Sequence, residues 1–445
     1  MNHFIIRNAT VVNKGEVYQA DVEIEGNFIS RVERSGISNS AAKSIEAEGQ
    51  WLLPGVIDDQ VHFREPGLTH KAEIATESRA ALAGGVTSYM EMPNVNPQTI
   101  TVELLEEKMD IAAQRSAVNY SFFMGTTNHN LDELRRVDPR NTCGVKIFMG
   151  SSTGDMLVDD EKMLETIFGE IPLLIATHCE CESRVKSRSA EWIARYGDSI
   201  TPEQHAIIRD DQACYLSSSF ARDLALKYNS RLHILHITSA IETHLFRNDI
   251  PLKEKRITSE VCVHHLHFTS ADYPRLGNLI KCNPSIKEAS NREELWKALL
   301  DDRIDIIATD HAPHTWDEKM NPYPKSPAGL PLVQHSLQMM LEYVKEGRIS
   351  IQEMVRKMCH APADCFQVHK RGYIDEGYYA DLVLVKPNTP YTVDKSNIYF
   401  KCGWSPLEGT TFSNSIDKVW VNGTLSWDNG FAGPLNPMRL AFDRN

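Results

Sequence analysis

The stretch PGVIDDQVHFREPG, residues 54–67, decides the predicted fold of the chain. A short apolar run follows its proline and glycine, and polar groups suited to chemistry follow that run, as expected of a strand that ends at an active site. Gln60 stands where a second histidine would complete a metal-binding pair with His62. The stretch therefore raises the question of whether this metal site works, is altered or is a relic.

Seven further apolar runs follow, and helix-like segments with apolar residues at three and four spacing separate them. The runs are VTSYMEMPN, VNYSFFMG, GVKIFMG, LLIATHC, RLHILHITS, RITSEVCVHHL and DIIATDHAPH. Such alternation is typical of repeated βα units and a parallel sheet. Because eight parallel strands close into a barrel, we expect the α/β class and a (β/α)₈ TIM barrel.

The two ends of the chain have a different texture, with short alternating bursts punctuated by glycine and asparagine. This pattern is typical of β-hairpins, so the termini are predicted to pair into one small β-sandwich. The expected division is residues 1–53 for the first part of the sandwich, 54–365 for a metal-dependent catalytic barrel, and 366–445 for the second part and a C-terminal tail.

The composition of the chain limits which partners and cellular compartments are expected. The chain has 445 residues, 42% hydrophobic and 24% charged, with a net charge of −13. An acidic surface repels a phosphate backbone, which argues against a nucleic-acid partner. The nine cysteines are scattered without a C-x-x-C pair, which fits free thiols in a reducing compartment. No signal peptide or membrane span is indicated, so the expectation is a cytoplasmic protein without a membrane partner.

His62, His178 and His236 differ from the other histidines because each terminates a separate apolar run. Neutral imidazoles that converge from several strands are what Zn²⁺ or a similar ion requires, although a lone histidine is more often a surface or core residue. Asp310 ends the eighth run and suits both a metal ligand and a proton acceptor, the alternative being a structural aspartate beside His311.

Lys146 ends the fourth run, where an ammonium group inside a barrel mouth would be costly beside a cation. One interpretation is a lysine that reaches solvent or forms a salt bridge. The other is an amine of lowered pKa that condenses with CO₂ to an anionic, bridging carbamate. Sequence spacing leaves both interpretations open.

Six motifs together carry a resemblance: PGVIDDQVHFREPG, MPN, GVKIFMG, ATHCE, LHILHITS and ATDHAPH. The chain resembles the amidohydrolase superfamily and, within it, the dihydroorotases, from about the first strand to the return at GYIDEGYYADLVLV. The resemblance implies that Lys146 is a carbamylated metal bridge, that His178 and His236 bind the second metal, and that Asp310 is both ligand and general base. These roles agree with the positions at strand ends.

The substrate implied by the resemblance, dihydroorotate, carries a carboxylate beside a cyclic ureide. Arginine offers the best fork of donors for a carboxylate, and Arg64 lies two residues beyond His62. A loop salt bridge between Arg64 and Glu65 is the alternative. The resemblance assigns carboxylate binding also to Asn94 and His314, and a contact with the pyrimidine ring to Asn283. The segment SPAGLP offers Ala328 and Gly329 as backbone contacts, because glycine permits close approach to a ligand. Ser285 and Lys287 depart from the family's motif around Asn283.

Gln60 puts the first metal in doubt, because a glutamine amide binds zinc much more weakly than imidazole does. Three outcomes stay open: one tightly bound ion, two ions of which one is labile, or a fold that has lost catalysis. Gln60 is therefore a doubtful ligand, and one or two Zn²⁺ ions are expected per chain.

The expected activity is reversible hydrolysis of dihydroorotate to carbamoyl aspartate in pyrimidine biosynthesis. The alternatives are an allantoinase or hydantoinase, and a noncatalytic scaffold for a carbamoyltransferase. Family members are often dimers, which makes a homodimer an expectation.

Overall fold

The computed structural model describes residues 2–38, 40–150 and 156–444. Its strands, in chain order, are β1 His3–Asn13, β2 Glu16–Glu25, β3 Phe28–Glu33, β4 Lys43–Glu46, β5 Trp51–Pro54, β6 Val56–Val61, β7 Val86–Glu91, β8 Asn119–Phe122, β9 Met124–Gly125, β10 Val145–Phe148, β11 Ile175–His178, β12 Leu232–Ile234, β13 Ile257–Cys262, β14 Ile306–Ala308, β15 Leu382–Lys386, β16 Tyr391–Thr392, β17 Thr411–Phe412, β18 Ser415–Val421 and β19 Thr424–Asp428.

The α-helices are α1 Ile74–Ala83, α2 Val102–Arg115, α3 Leu131–Arg136, α4 Glu161–Glu170, α5 Glu182–Tyr196, α6 His205–Ile208, α7 Asp211–Tyr228, α8 Val263–His267, α9 Tyr273–Leu276, α10 Ala289–Leu300, α11 Trp316–Lys319, α12 Ser336–Lys345, α13 Ile351–Val355 and α14 Ala361–Phe366. Several begin at side-chain caps. Thr101, Asp160 and Asp210 accept hydrogen bonds from the first-turn N–H groups of α2, α4 and α7, which satisfies donors that a helix leaves unpaired.

The strands from β6 to β14 form the barrel, with β8 and β9 following one another as a single staggered strand. One parallel sheet has the order β6-β7-β8, and another has the order β14-β13-β12-β11-β10-β9. A parallel bridge between Val61 and His311 joins the first strand to the last, and the Phe123 N–H donates to the Glu91 carbonyl oxygen at the other junction. The predicted (β/α)₈ barrel is confirmed.

The two termini meet in one mixed eight-stranded sheet with the order β19-β18-β15-β5-β1-β2-β3, and β4 lies beside β1. The central strand β5 runs parallel to β1 and antiparallel to β15, so N-terminal and C-terminal segments share one sheet, as predicted. Gly55 joins β5 directly to β6. A larger residue would not fit at this position, because a Cβ there would lie 2.0 Å from the Thr87 hydroxyl oxygen.

The tail after β19 returns to the barrel. Arg439 forms a parallel bridge with Tyr120 of β8, and Phe442 forms an antiparallel bridge with Val368.

The division of the chain after residues 53 and 365 stays a prediction. Among the described residues, no helix is both long enough and apolar enough to cross a lipid bilayer.

Candidate active site

The predicted metal ligands lie at the carboxyl ends of the barrel strands. Lys146 lies within β10, His178 is the last residue of β11, and His236 follows β12 by two residues. Asp310 follows β14 in the same way, and His62 comes directly after β6. Since the carboxyl ends of parallel barrel strands open at one face, these side chains gather in one mouth. They divide into two groups with different bonding.

The first group, which we call the lysine half, consists of Lys146, His178 and His236. The His178 Nδ1 atom lies 3.0 Å from the His236 Nε2 atom, a separation typical of two nitrogen ligands of one zinc ion, which lie about 3.0 to 3.5 Å apart. The His178 Nε2–H donates to Glu180 at 3.0 Å, which leaves Nδ1 as a lone pair. Metal-binding histidines are usually held by such an outer carboxylate.

Two further features of the lysine half bear on metal binding. The His236 Nε2 atom faces His178, and its Nδ1 atom is buried without a hydrogen-bond partner among the described residues. The ion pair between Glu180 and Arg209 overcomes the effect of burial and lowers the pKa of Glu180 to about 2, so the carboxylate that orients His178 is ionised at neutral pH. The donor set therefore suits a divalent metal ion of the zinc type.

Lys146 is 1% exposed, and among the described residues no carboxylate forms an ion pair with it. Its Nζ atom lies 4.7 Å from the centre of the Phe148 ring. Burial lowers the pKa of Lys146 to about 7, although the charges of Asp310 and Glu260 oppose the shift. A substantial fraction of the amine is therefore neutral near pH 7, the state that reacts with CO₂. The interpretation of Lys146 as a solvent-reaching lysine or a salt bridge does not fit this burial.

The second group, the glutamine half, consists of Gln60, His62, Asn94 and Asp310. The Gln60 Nε2–H donates to Asp310 at 3.2 Å, and Cys262 Sγ lies 3.7 Å from the Gln60 amide oxygen. Gln60 thus turns its nitrogen, and not its oxygen, toward Asp310. The role of Gln60 as a doubtful metal ligand stays a prediction.

His62 lies between Asn94 and Asp310 of the glutamine half. Its Nε2 atom is 3.1 Å from Asp310 and its Nδ1 atom is 2.8 Å from Asn94. Burial raises the pKa of Asp310, but the hydrogen bond and charge of His62 outweigh that effect, so the pKa is lowered. Burial lowers the pKa of His62. Each of these side chains already has a protein partner.

Three of the predicted site residues have a strained backbone. Arg64, His236 and Asp310 have φ angles of 68°, 42° and 46°, in the left-handed region that side chains with a Cβ seldom adopt. Such strain costs about 1 to 3 kcal/mol per residue and concentrates at functional sites. Its presence at three strand ends of one mouth supports their assignment to the site.

The predicted carboxylate-binding residues form a basic pocket beside the glutamine half. Arg64 Nη2 lies 3.2 Å from His314 Nε2, and Arg64 Nε–H donates to the Pro313 carbonyl oxygen. The Lys71 ammonium donates to His314 Nδ1 at 3.1 Å, and the His314 Nε2–H donates to the Ala328 carbonyl oxygen at 2.9 Å. Burial and the charge of Arg64 lower the pKa of His314 to about 3, so this imidazole is neutral.

Gly329 and Asn283 complete the predicted substrate residues. A Cβ at Gly329 would lie 2.5 Å from the Ala312 carbonyl oxygen and 3.1 Å from His314 Nε2, so a larger residue would clash. Asn283 and Ala328 line a cavity of about 240 Å³ together with His205 and Arg209, and the Asn283 amide oxygen is buried without a partner. A larger cavity of about 770 Å³, lined by Arg231, Arg256 and Asp364, contains none of the predicted site residues.

Sequence reasoning missed several residues that hold the site together. Glu180 follows His178 by two residues and fixes its ring. Glu91 accepts hydrogen bonds from the backbone N–H groups of Phe63 and Arg64. Lys71 contacts His314, and its ion pair with Glu318 spans 3.1 Å. The sequence could have indicated Glu180, because a carboxylate just beyond a strand-end histidine can accept the hydrogen bond of the ring nitrogen that faces away from a metal. No sequence feature indicated Lys71 or Glu91.

The barrel and the two groups at its mouth define a hydrolase that uses a metal ion. A family model described as "Amidohydrolase family" matches residues 51–425, and the chain belongs to that family. The family and its relatives identify a metal-dependent cyclic amidohydrolase.

Two relatives and one solved structure show the range of that family. A dihydroorotase of Methanosarcina acetivorans is 30% identical over 432 residues, 95% of this chain and 90% of its own length. An allantoinase of Deinococcus radiodurans is 30% identical over 438 residues, 96% of this chain and 95% of its own length. The structure of an L-hydantoinase from Arthrobacter aurescens superimposes with a TM-score of 0.91 at 25% identity and covers 98% of each chain.

Proposed function

We propose that this enzyme is a dihydroorotase that hydrolyses dihydroorotate reversibly to N-carbamoyl-L-aspartate in pyrimidine biosynthesis. The observation that carries the proposal is Arg64, which is 7% exposed and forms no ion pair with any carboxylate of the described residues. A buried guanidinium group without a protein anion is costly unless a ligand supplies the charge. The carboxylate of dihydroorotate is such an anion.

The surroundings of Arg64 favour the same substrate. Lys71 lies on the other side of His314, where Glu318 balances its charge, so Arg64 is the guanidinium left to a substrate anion. Burial lowers the pKa of Arg64 to about 10, so the guanidinium stays charged at neutral pH. An arginine fork can hold a carboxylate through two parallel hydrogen bonds. Allantoin and simple hydantoins have no carboxylate to occupy this pocket.

The catalytic cation belongs, in this proposal, to the lysine half. Lys146, His178 and His236 would hold one Zn²⁺ ion, with Lys146 extended to a carbamate: its neutral amine attacks CO₂, a nitrogen–carbon bond forms and a proton leaves to solvent. A zinc ion there supplies a Lewis acid that polarises the scissile carbonyl and makes water more acidic. The bonding of Gln60 to Asp310 favours this single ion over a pair.

Asp310 is the proposed general base. Its lowered pKa keeps it ionised at neutral pH, and His62 holds it in place. It takes the proton of the attacking water as the carbon–oxygen bond forms, and it delivers that proton to the ring nitrogen as the amide carbon–nitrogen bond breaks. The reverse path closes the ring.

A second candidate function rests on the names of the relatives. Allantoinases and dihydroorotases are similar to this chain at the same identity, and the matched hydantoinase structure shares the whole fold. All three substrates contain a cyclic ureide, so the metal chemistry alone does not separate them. The pocket of Arg64 supports the substrate that carries a carboxylate.

The test is a substrate profile of the purified enzyme with zinc and bicarbonate supplied. Dihydroorotate, N-carbamoyl-L-aspartate, allantoin and an unsubstituted hydantoin are compared by kcat/KM. We expect the first two to be converted at least about 10²-fold more efficiently than the others, the discrimination that a dedicated polar pocket provides. Equal or better turnover of allantoin or hydantoin would reject the dihydroorotase assignment. The exclusion of nucleic-acid and membrane partners, the cytoplasmic location and the homodimer stay predictions.

A further inference from the structure

A second cluster of ionisable side chains lies inside the barrel. Asp59 of β6, His233 of β12 and Glu260 of β13 are each 0% exposed. The strand β14 separates β13 from β6, so these three side chains meet across the barrel interior. Each lies one to three residues before a residue nearer the mouth: Gln60, His236 and Cys262 respectively. The cluster is therefore one layer below the active site.

The three side chains are close enough to share one ion. The His233 Nε2 atom lies 3.2 Å from Glu260 and 3.3 Å from Asp59, and one donor atom from each residue lies within 4.8 Å of the others. Two ligands of one zinc ion lie about 3.0 to 3.5 Å apart. Both distances from the imidazole to the carboxylates fall in that range.

Protein hydrogen bonds satisfy the cluster only in part. His233 Nε2 lies within hydrogen-bond distance of Glu260, but among the described residues both carboxylate oxygens of Asp59 are buried without a hydrogen-bond partner. A single ring N–H of His233 faces the two carboxylates, so without an ion the cluster must take up protons to offset two buried carboxylates. The ring of Phe366 packs against His233, with the ring centres 5.5 Å apart.

The remaining atoms of the cluster are held in the way that metal ligands are held. The His233 Nδ1 atom lies 2.8 Å from the Thr258 hydroxyl oxygen, which fixes the ring and directs Nε2 toward the carboxylates. The other Glu260 oxygen accepts the His236 backbone N–H at 3.1 Å, and this orients the free oxygen. The three ligands are thus positioned before any ion binds.

We propose that Asp59, His233 and Glu260 form an interior binding site for a divalent cation of the zinc type. Two carboxylates and one neutral imidazole balance the charge of such an ion, and a nitrogen and oxygen donor set suits zinc. The site shares no ligand with the lysine half. Its effect on the mouth passes through Glu260, whose second oxygen holds the backbone of His236, so the ion stabilises the strand end that carries a catalytic ligand.

The competing occupant of the cluster is a proton. Burial and the charge of Asp59 raise the pKa of Glu260 well above its ordinary value, so a metal-free cluster neutralises itself by protonation. A metal-bound cluster and a protonated cluster can be told apart by measurement, because only the metal-bound cluster has a heavy atom between the three side chains.

The test begins with the wild-type enzyme expressed and crystallised with zinc, supplied during expression because the cluster is closed to solvent. Anomalous diffraction at the zinc edge is expected to show a peak about 2.0 to 2.2 Å from Asp59, His233 and Glu260. No peak between these side chains would overturn the proposal, whatever occupies the lysine half, so its failure is distinct from failure of the proposed function.

Zinc content measured by mass spectrometry provides the second readout. Asp59→Asn keeps the shape of the side chain but removes its charge, and it is expected to carry one zinc ion fewer per chain than the wild type. Asp58→Asn is the matched control, because Asp58 is also buried on β6 but bonds to Thr309; it should keep the full content. Equal zinc content in the wild type and in folded Asp59→Asn would contradict the interior site.

Discussion

The lysine half is fully buried and the glutamine half only partly, and the two halves of the mouth differ in their bonding. In the lysine half, two ring nitrogens face each other at 3.0 Å, and the His236 Nδ1 atom is buried without a partner. In the glutamine half, Gln60 and His62 both bond to Asp310, and Asn94 holds His62. The glutamine half is closed by its own hydrogen bonds, whereas the lysine half leaves a ring nitrogen without a partner among the described residues.

This difference separates the roles proposed for the two halves. Gln60 donates a hydrogen bond to Asp310, and the lowered pKa of Asp310 suits proton transfer. No hydrogen bond among the described residues joins Gln60 to Lys146, His178 or His236. The proposed function therefore places a cation and a base in separate halves of one mouth.

The largest expected effect follows from emptying the lysine half. Lys146→Ala removes the proposed carbamate ligand, and we expect kcat/KM for dihydroorotate to fall by about 10³-fold or more, because several kcal/mol of Lewis-acid stabilisation are lost. Zinc content should fall with it. Partial rescue by added propionate, which can stand in the space of the carbamate, would identify the missing group as a carboxylate. Unchanged activity in Lys146→Ala would contradict the division into two halves.

The next effect concerns the pocket beside the glutamine half. Arg64→Ala is expected to lower kcat/KM for dihydroorotate by about 10²-fold, mainly through KM, because a buried charge pair with the substrate is lost. Zinc content should not change. Arg115→Ala is the control, since Arg115 forms surface-facing ion pairs with Glu65 and Glu73. An equal loss on a hydantoin without a carboxylate would show that Arg64 acts on structure and not on substrate charge.

Much of this comparison could be predicted from sequence, because polar residues after apolar runs identify strand ends. His62, Lys146, His178, His236 and Asp310 all follow that rule. The bonding could not be predicted, because the orientation of the Gln60 amide depends on Asp310, about 250 residues further along the chain, and on Cys262.

Asp59 shows a second limit of sequence reasoning. In the pair Asp58 and Asp59, alternation along a strand would send the two side chains to opposite faces. The pairing of β6 with β7 shifts register between Val56 and Ile57 and again between Asp58 and Val61. A bulged strand breaks the simple alternation, so only the structure places Asp59 beside His233.

A smaller effect is expected from restoring the histidine of the glutamine half. Gln60→His supplies a second imidazole beside His62 and removes the donor that occupies Asp310, so we expect the number of bound zinc ions to rise by one per chain. Activity should change by less than about 10-fold, since the cation and base of the wild type remain. Gln60→Asn serves as the control and should bind no additional zinc. If the wild type already binds zinc between His62 and Asp310, the variant gains none and the contrast between the halves disappears.

The smallest expected effect tests whether a histidine without partners must be a ligand. Both ring nitrogens of His335 are buried without hydrogen bonds, as one nitrogen of His236 is, but aromatic rings of Phe400 and Phe412 surround it. Burial lowers the pKa of His335 to about 3, so the unfolded chain takes up a proton below its ordinary pKa of about 6.5 while the folded chain does not.

His335 therefore makes the folded enzyme less stable as the pH falls from about 6.5 toward 3, by about 1.4 kcal/mol per pH unit at most. His335→Phe removes this proton linkage and should lose less thermal stability than the wild type between pH 7 and pH 5, with zinc content unchanged. Thermal midpoints measured across that range check the slope. A loss of zinc in His335→Phe would mean that isolated buried imidazoles contribute to metal binding here, and the distinction drawn from the paired nitrogens of His178 and His236 would fail.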